Sequence, residues 1–289
     1  MGEKLGILGP VGTHSEDAAK YLIEYLGDGR QCVCFGEIFD ALRALEQGEV
    51  DAALVPVENS LEGSINITLD VLSGSDDLTV VRELIWPIHN FLMGNSPADK
   101  VKKIYSHAQP ISQCRRYLRE HYPKAAVFTT SSTSKAAQIA AEAAPEAGAA
   151  AICPERAGLI NGLSVLAEEV QDNMNNSTRF FEIRRRDDST TAAPPEICQK
   201  ILVVCQIDGQ KAGSLCEVLL EFSRRGINLT RIESRPARTR LGEYIFFFDL
   251  EIGANAENMR AAITAVRQKS IWLKEVGTFP VIVAADETR

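Results

Sequence analysis

The chain has 289 residues, 45% hydrophobic and 24% charged, a composition typical of a globular protein with room for roughly two domains. The formal net charge is −8 and the basic run Arg184–Arg186 is followed at once by Asp187 and Asp188, so nucleic-acid binding is not expected. The seven cysteines lack the spacing of a metal site, so we expect reduced core cysteines and no metal. No signal-peptide core opens the chain, and no apolar run approaches the roughly 20 residues of a membrane span. We therefore expect no membrane partner and a cytoplasmic location.

The N-terminal part alternates short apolar runs with helical apolar spacing, which predicts a parallel sheet. Strands are expected at residues 5–8, 32–35 and 52–55, with helices after the first two of them. Thr13 or Ser15 is the expected N-cap of the first helix. A helix N-terminus binds anions because its N–H groups are unpaired and its dipole end is positive, although a capped helix without a ligand explains the same residues.

The third strand runs into a second polar strand tip at residues 58–64. This tip carries the candidate site residues Asn59, Ser60, Glu62 and Gly63. Ligands of open α/β sheets lie beyond the carboxyl ends of the strands, so two polar tips in one sheet predict a site better than either tip alone. Glu58 is equally explained as a surface acid.

The alternation resumes after residue 103, which predicts a second lobe, and the apolar residues 78–93 are expected to cross into it as strands. Strands expected at 103–107, 126–128 and 149–152 each end in polar side chains before a helix start. The candidate site residues at these ends are Ser106, Gln109, Ser132 and Thr133. The predicted fold is a two-lobed α/β domain similar to periplasmic binding proteins, with a cleft walled by helix N-termini.

Residues 171–181 combine amides, hydroxyls and one arginine with an aromatic pair. Such a cluster is typical of a turn, because Asn and Ser bond their own backbone. Arg179, however, enters an apolar run that reads as a strand, so a cation and a hydroxyl lie where a strand meets packed structure. This place suits an anion, and the candidate site residues are Asn176, Thr178, Arg179 and Phe180.

Residues 187–195 are small, polar and proline-containing, which is typical of a linker. After them the predicted order is βαββαβ, a ferredoxin-like unit. Its strands are expected at 200–207, 227–234, 244–252 and 271–276, and its helices at 214–225 and 256–268. A unit of fewer than about 100 residues has a modest core, so pairing with another copy is expected.

Several separate motifs, in chain order, resemble those of prephenate dehydratases with a C-terminal ACT regulatory domain. The motifs are Gly9-Pro10-Val11-Gly12-Thr13-His14-Ser15-Glu16, Val55-Pro56-Val57-Glu58-Asn59-Ser60-Leu61-Glu62-Gly63-Ser64, Ser106-His107-Ala108-Gln109, Ser132-Thr133-Ser134, Thr178-Arg179-Phe180, Gly213-Ser214-Leu215 and Glu233-Ser234-Arg235-Pro236. They depart from the family at Ala108, Ser134 and Ser214, each by a residue of similar size. The resemblance implies a catalytic domain at 1–186, a linker at 187–196 and an ACT domain at 197–280.

The resemblance also implies an activity, the decarboxylating dehydration of prephenate to phenylpyruvate in L-phenylalanine biosynthesis. No cofactor is expected, because aromatisation drives the step. The implied catalytic residues are Thr178, which donates a hydrogen bond to the departing hydroxyl, and Arg179, which binds a carboxylate unless it forms a structural ion pair. The implied substrate-binding residues are Thr13, Ser15, Asn59, Ser60, Glu62, Gly63, Ser106, Gln109, Ser132, Thr133, Asn176 and Phe180.

Feedback by L-phenylalanine is implied for the ACT domain, at an interface in a dimer or a dimer of dimers. The implied allosteric residues are Gly213, Ser214, Leu215, Asn228, Leu229, Glu233, Ser234, Arg235 and Pro236, of which the last four either shape the ligand site or stabilise the interface. Strain on the linker would pull on the strand of Arg179 and offers a route for this feedback. Two alternatives stay open: arogenate as the substrate, or an amino-acid sensor without catalysis.

Overall fold

A computed structural model describes residues 2–186, 198–240, 242–253 and 256–285. The linker predicted at 187–196 lies outside these residues. The chain divides into two compact units, which are described in turn. The first unit comprises Met1–Thr68, Leu84–Phe180 and Val283–Arg289, and the second comprises Leu69–Glu83 and Phe181–Ile282.

The first unit begins with the predicted alternation of strands and helices. Its first five elements are β1 (Lys4–Leu8), α1 (His14–Leu26), β2 (Gln31–Phe35), α2 (Ile38–Glu46) and β3 (Ala52–Asn59). β1 lies between β2 and β3 and is parallel to both. The two-residue strand β4 (Gly63–Ser64) turns back on β3, and β11 (Ser177–Arg185) lies on the other side of β3 from β1. Seven of the eight β3 residues are buried, and the continuous buried run 52–57 reflects apolar side chains on both faces of this strand.

A five-stranded sheet forms the second lobe of the first unit, in the order β10-β6-β9-β7-β8. The strands are β6 (Phe91–Gly94), β7 (Lys103–Ser106), β8 (Ala126–Thr129), β9 (Ala149–Cys153) and β10 (Ser164–Ala167). The helices between them are α4 (Ala108–Gln113), α5 (Arg115–His121), α6 (Thr133–Glu142) and α7 (Glu155–Ile160). β7 is parallel to β8 and β9, which brings the ends of these strands to one edge and confirms the second α/β lobe.

Three strands and one helix run from one unit into the other along the chain: α3 (Asn66–Gly74), β5 (Leu78–Pro87), β11 and β16 (Val281–Val283). The second unit also contains the predicted ferredoxin-like order, an antiparallel sheet β13-β14-β12-β15 with two helices. These elements are β12 (Lys200–Gln206), α8 (Ser214–Ser223), β13 (Leu229–Pro236), β14 (Tyr244–Glu251), α9 (Ala256–Lys269) and β15 (Trp272–Phe279). The core between sheet and helices includes Phe222 and Phe248, both fully buried. β13 is an edge strand of this sheet.

The cysteine prediction is correct for four thiols and wrong for three. Cys114, Cys153, Cys198 and Cys205 are buried, whereas Cys34 and Cys216 are exposed and Cys32 is half-buried. Cys32 and Cys34 lie in β2, which is an edge strand and is covered on only one side. None of the seven cysteines forms a disulfide in the part of the chain that the structure describes. Within the described ranges, no helix has the length and apolar character needed to cross a membrane.

Candidate active site

A cavity of about 990 Å³ lies in the first unit, where the polar ends of several strands meet. It is bordered by the segments that follow β1, β3, β7 and β8 and by the start of β11. The predicted site residues that line it are Thr13, Ser15, Asn59, Gln109, Ser132, Thr133, Thr178 and Phe180. The structure thus brings together residues that are up to 167 positions apart, from Thr13 to Phe180 (180 − 13).

Two helices begin at the cavity wall. Thr13 is the N-cap of α1 in extended conformation, and its carbonyl accepts the N–H groups of Glu16 and Asp17 at 3.0 and 3.1 Å. Ser132 caps α6, and its Oγ accepts the N–H of Lys135 at 3.0 Å. The first N–H groups of each helix have no partner within the helix, so both termini present donors and a positive dipole end to a ligand.

Thr178 lies at the start of β11, lines the cavity and is 8% exposed. Its Oγ1 accepts a hydrogen bond from Nδ2 of Asn59 at 3.0 Å. The orientation of the Asn59 amide is fixed, because its Oδ1 accepts the backbone N–H groups of Leu61 and Glu62 at 3.0 and 3.2 Å. Since Asn59 Nδ2 can only donate, the Thr178 hydroxyl keeps its own proton available for a group in the cavity.

The contact between Asn59 and Thr178 belongs to a longer row of hydrogen bonds. Asn59 Nδ2 also donates to Oδ1 of Asn176 at 2.9 Å, and Nδ2 of Asn176 donates to Oε1 of Gln113 at 3.1 Å. Gln113 Nε2 donates to the Glu62 carboxylate at 3.2 Å, where the row ends. Asn176 and Glu62 do not line the cavity, so they position Asn59 and Gln113, which do.

Arg179 follows Thr178 in β11, so its side chain lies on the opposite face of the strand. Its Nη1 forms an ion pair with Oε2 of Glu58 at 2.7 Å, and the two side chains are 15% and 28% exposed. Glu58 directly precedes Asn59 in β3, so these two side chains also lie on opposite faces of their strand. The ion pair and the Asn59–Thr178 hydrogen bond therefore join the same two strands on opposite faces. Arg179 is not a lining residue, and this geometry shows no counterpart of the predicted contact with a substrate carboxylate.

Three other predicted residues are outside the cavity lining. Ser106 is fully buried and its Oγ donates to the carbonyl of Ile152 at 2.6 Å. Ser60 accepts the N–H of Ser177 at 3.0 Å and so ties the second strand tip to β11. Gly63 lies in β4, opposite Asn59, with a φ of +84° that favours glycine. These residues shape the strand tips rather than the cavity surface.

The described lining of the cavity contains a positively charged side chain and no negatively charged one. In the described lining there is no aspartate or glutamate, and Lys135 is the one lysine or arginine. Burial, helped by the nearby His89, lowers the pKa of His14 to about 4, so this imidazole is neutral near pH 7. His89 itself pairs with the carboxylate of Glu169 at 2.8 Å. A wall with helix N-termini, a cation and no carboxylate suits an anionic ligand.

Sequence reasoning missed several polar residues of the lining, among them Asn90 and Lys135. The Asn90 side chain is fully buried, and neither of its amide atoms has a hydrogen-bond partner among the described residues. Both residues carried a signal in the sequence. Asn90 interrupts the apolar run 88–93, and Lys135 lies in the first turn of a helix, where a cation opposes the dipole.

The predicted allosteric residues occupy two places in the second unit. Gly213 is the N-cap of α8 with a φ of 85°, and the Ser214 hydroxyl donates to the carbonyl of Lys211 at 2.8 Å. Leu215 and Leu229 pack against the core, and Glu233, Ser234 and Pro236 lie in β13. Arg235, also in β13, contacts both carboxylate oxygens of Asp70 at 3.2 Å, and Asn228 Nδ2 donates to Glu251 at 2.7 Å. Arg235 thus ties β13 to α3.

A two-lobed α/β unit with a polar cavity, together with a ferredoxin-like unit in the same chain, is the architecture of a small-molecule-binding α/β protein with an added βαββαβ domain. Comparison with known protein families matches residues 5–188 to Prephenate dehydratase and residues 203–268 to the ACT domain. The chain therefore belongs to the prephenate dehydratase family and carries an ACT domain.

Individual relatives agree with this assignment. The prephenate dehydratase of Methanocaldococcus jannaschii is 36% identical over 273 residues, which cover 94% of this chain and 96% of that protein. The prephenate dehydratase of Lactococcus lactis subsp. cremoris is 34% identical over 279 residues, or 96% of this chain and 98% of that one. The crystal structure of a prephenate dehydratase from Arthrobacter aurescens in complex with L-Phe has 32% identity and a TM-score of 0.83, covering 96% of this chain and 89% of that one.

Proposed function

We propose that the protein catalyses the decarboxylating dehydration of prephenate to phenylpyruvate. The observation that supports this most directly is the Thr178 hydroxyl, which accepts from Asn59 at 3.0 Å and keeps its proton for the cavity. In prephenate the ring carboxylate leaves as carbon dioxide, and the electrons of that C–C bond move into the ring. The ring C–O bond breaks at the same time, and the departing hydroxide takes up a proton and leaves as water.

Thr178 assists the departure of the hydroxyl. A threonine hydroxyl is too weak an acid to be fully deprotonated near neutrality, so it stabilises the developing hydroxide by a hydrogen bond and partial proton donation. Asn59 orients it, because the fixed amide occupies the lone pair of Oγ1 and turns the O–H bond away from β3. The N-termini of α1 and α6 supply donors for the two carboxylates of the substrate.

For Arg179 we propose a positioning role. Its ion pair with Glu58 fixes β11 against β3 one residue away from the Asn59–Thr178 hydrogen bond. A shift of one strand along the other would break this hydrogen bond. Arg179 thereby sets the geometry of the catalytic hydroxyl without touching the substrate.

We also propose that residues 1–186 form the catalytic domain and residues 197–280 a regulatory domain that binds L-phenylalanine, and that the protein is cytoplasmic. Gly213 and the N-terminus of α8 offer backbone donors to the amino acid. Edge strand β13 can pair with another copy, which supports a homodimer or a dimer of dimers. We propose that Arg235 contributes to feedback by holding the fold and not by contacting the ligand. Its guanidinium binds Asp70 of α3, and α3 follows the strand tip that contains Asn59.

The test is to incubate the purified protein with prephenate and to follow phenylpyruvate and carbon dioxide together. We expect both products in equal amounts, and inhibition when L-phenylalanine is added. Absence of both products would exclude prephenate as the substrate, and absence of turnover with arogenate as well would favour an amino-acid sensor. Calorimetry with L-phenylalanine is the companion measurement. If L-phenylalanine gives no heat of binding and no inhibition, the regulatory proposal is refuted.

A further inference from the structure

Lys135 carries the one lysine or arginine cation in the described cavity lining, and no aspartate or glutamate accompanies it there. Its Nζ donates to Oε1 of Gln138 at 2.8 Å, which is a neutral partner. Among the described residues no carboxylate lies within 4 Å of this amine, whereas other cations of the same unit, such as Lys20 and Arg156, pair with acids of α1. The Lys135 charge is therefore uncompensated within the described structure.

Lys135 is exposed, so its amine reaches solvent as well as the cavity, but the helix itself does not favour a lysine at this position. Lys135 is the third residue of α6, where the positive end of the helix dipole repels a cation. A helix that begins Thr-Ser-Lys is stabilised by its Ser132 cap, not by the lysine side chain. A cation that opposes the helix dipole and borders a cavity whose described lining has no carboxylate is placed to meet an anion there.

Two substrates of this reaction class differ at one group, and Lys135 can distinguish them. Prephenate and arogenate both carry a ring carboxylate and a side-chain carboxylate. Prephenate has a keto group beside the second carboxylate and a charge of about −2, whereas arogenate has an ammonium group there and a net charge of about −1 near pH 7. In an acid-free wall the ammonium finds no carboxylate to pair with, and Lys135 repels it.

We propose that Lys135 is a charge-selecting residue that binds a carboxylate of prephenate and disfavours arogenate. This proposal rests on the proposed dehydratase function and decides between the two substrates that the motifs leave open. Lys135 acts on binding, so its effect falls on KM and not on the turnover number.

The test compares kcat/KM for prephenate and for arogenate in the wild type and in Lys135→Gln, Lys135→Glu and Lys135→Arg. Lys135→Gln should raise the KM for prephenate on the order of tenfold with kcat retained, because it removes one partly solvated charge pair. Lys135→Glu should shift the prephenate-to-arogenate ratio further, since its carboxylate attracts the ammonium. Lys135→Arg keeps the charge and should stay close to the wild type.

Lys124→Gln is the matched control, since Lys124 is exposed in the same unit and does not line the cavity. It should change neither KM. The Lys135→Gln effect should also shrink as salt is raised from 0.05 to 0.5 M, roughly as ionic screening predicts. A prephenate-to-arogenate ratio in Lys135→Gln equal to that of the wild type overturns the proposal. A wild type that turns over neither substrate overturns the dehydratase function itself, and the charge selection with it.

Discussion

Replacing Thr178 by valine removes one hydroxyl and keeps the shape of the side chain. In the structure this hydroxyl accepts a hydrogen bond from Asn59 Nδ2 at 3.0 Å, and its proton is available to the cavity. Loss of a single preorganised donor costs on the order of 10² to 10³ in rate, or about 2.7–4 kcal/mol of transition-state stabilisation. We expect the turnover number of Thr178→Val to fall by at least about a hundredfold.

The same substitution should leave the fold largely intact. Asn59 Nδ2 still donates to Asn176 Oδ1 at 2.9 Å and lies 3.3 Å from the carbonyl of Ser177, so no buried donor is stranded. The expected loss in the free energy of unfolding is about 0.5–1.5 kcal/mol, the value of one net hydrogen bond. The effect on rate therefore exceeds the effect on stability, which separates a catalytic hydroxyl from a structural one.

The assay is steady-state formation of phenylpyruvate from prephenate, with urea denaturation of the same samples. Thr178→Ser is the matched control, because it keeps the hydroxyl on the same backbone, and it should retain turnover within about tenfold of the wild type. Thr178→Val with near-normal turnover in a folded sample would refute the donor role. Equal losses in the serine and valine variants would point to packing of the side chain instead.

Three further changes test neighbouring parts of the site. Arg179→Lys keeps the charge but loses the planar guanidinium. We expect a lower kcat and a free energy of unfolding lower by about 1 kcal/mol, with little change in KM. A large rise in KM at unchanged stability would show instead that Arg179 binds the substrate. Asn90→Leu should raise the free energy of unfolding by about 1–2 kcal/mol while kcat/KM falls, because it removes a buried amide that lacks a partner among the described residues. Asn176→Leu breaks two hydrogen bonds and should instead lower the free energy of unfolding. A change of the same sign in both variants would contradict the reasoning. His14→Gln tests a pH effect: the folded pKa of about 4 lies below the usual 6.5, so the unfolded chain binds the proton first and the wild type loses stability as pH falls from 6.5 to about 4. Burial raises the pKa of Asp17 to about 6, so Asp17 changes stability in the opposite direction over an overlapping pH range. The His14 effect is therefore measured as the difference in the free energy of unfolding between variant and wild type, from denaturation curves at pH 4.5, 5.5 and 7. A difference that does not change with pH would refute the prediction.

The fold followed from the sequence because its periodicity is strong. Apolar runs such as 52–55 and 149–152 are buried on both faces and alternate with helix starts, so a parallel sheet was the consistent interpretation. β10 was not predicted, since its sequence Ser-Val-Leu-Ala is short and its pairing with β6 contains a bulge. A strand of this kind is specified by its neighbours and not by its own residues.

The site was predicted in part, and the cations show where prediction from sequence stops. Arg179 adjoins the implied catalytic Thr178, yet adjacent residues of a strand lie on opposite faces, and β11 places Arg179 against Glu58. Lys135 lies 43 positions earlier (178 − 135) and carries no motif that marks it, yet it lines the same cavity as Thr178. Proximity along the chain and proximity in space thus favour different cations for the substrate carboxylate. The alternation of strand faces places the Arg179 side chain on the face opposite Thr178. The packing of α6 against the strand tip of β1, through Ser134 Oγ and the Val11 carbonyl at 2.7 Å, brings Lys135 to the cavity.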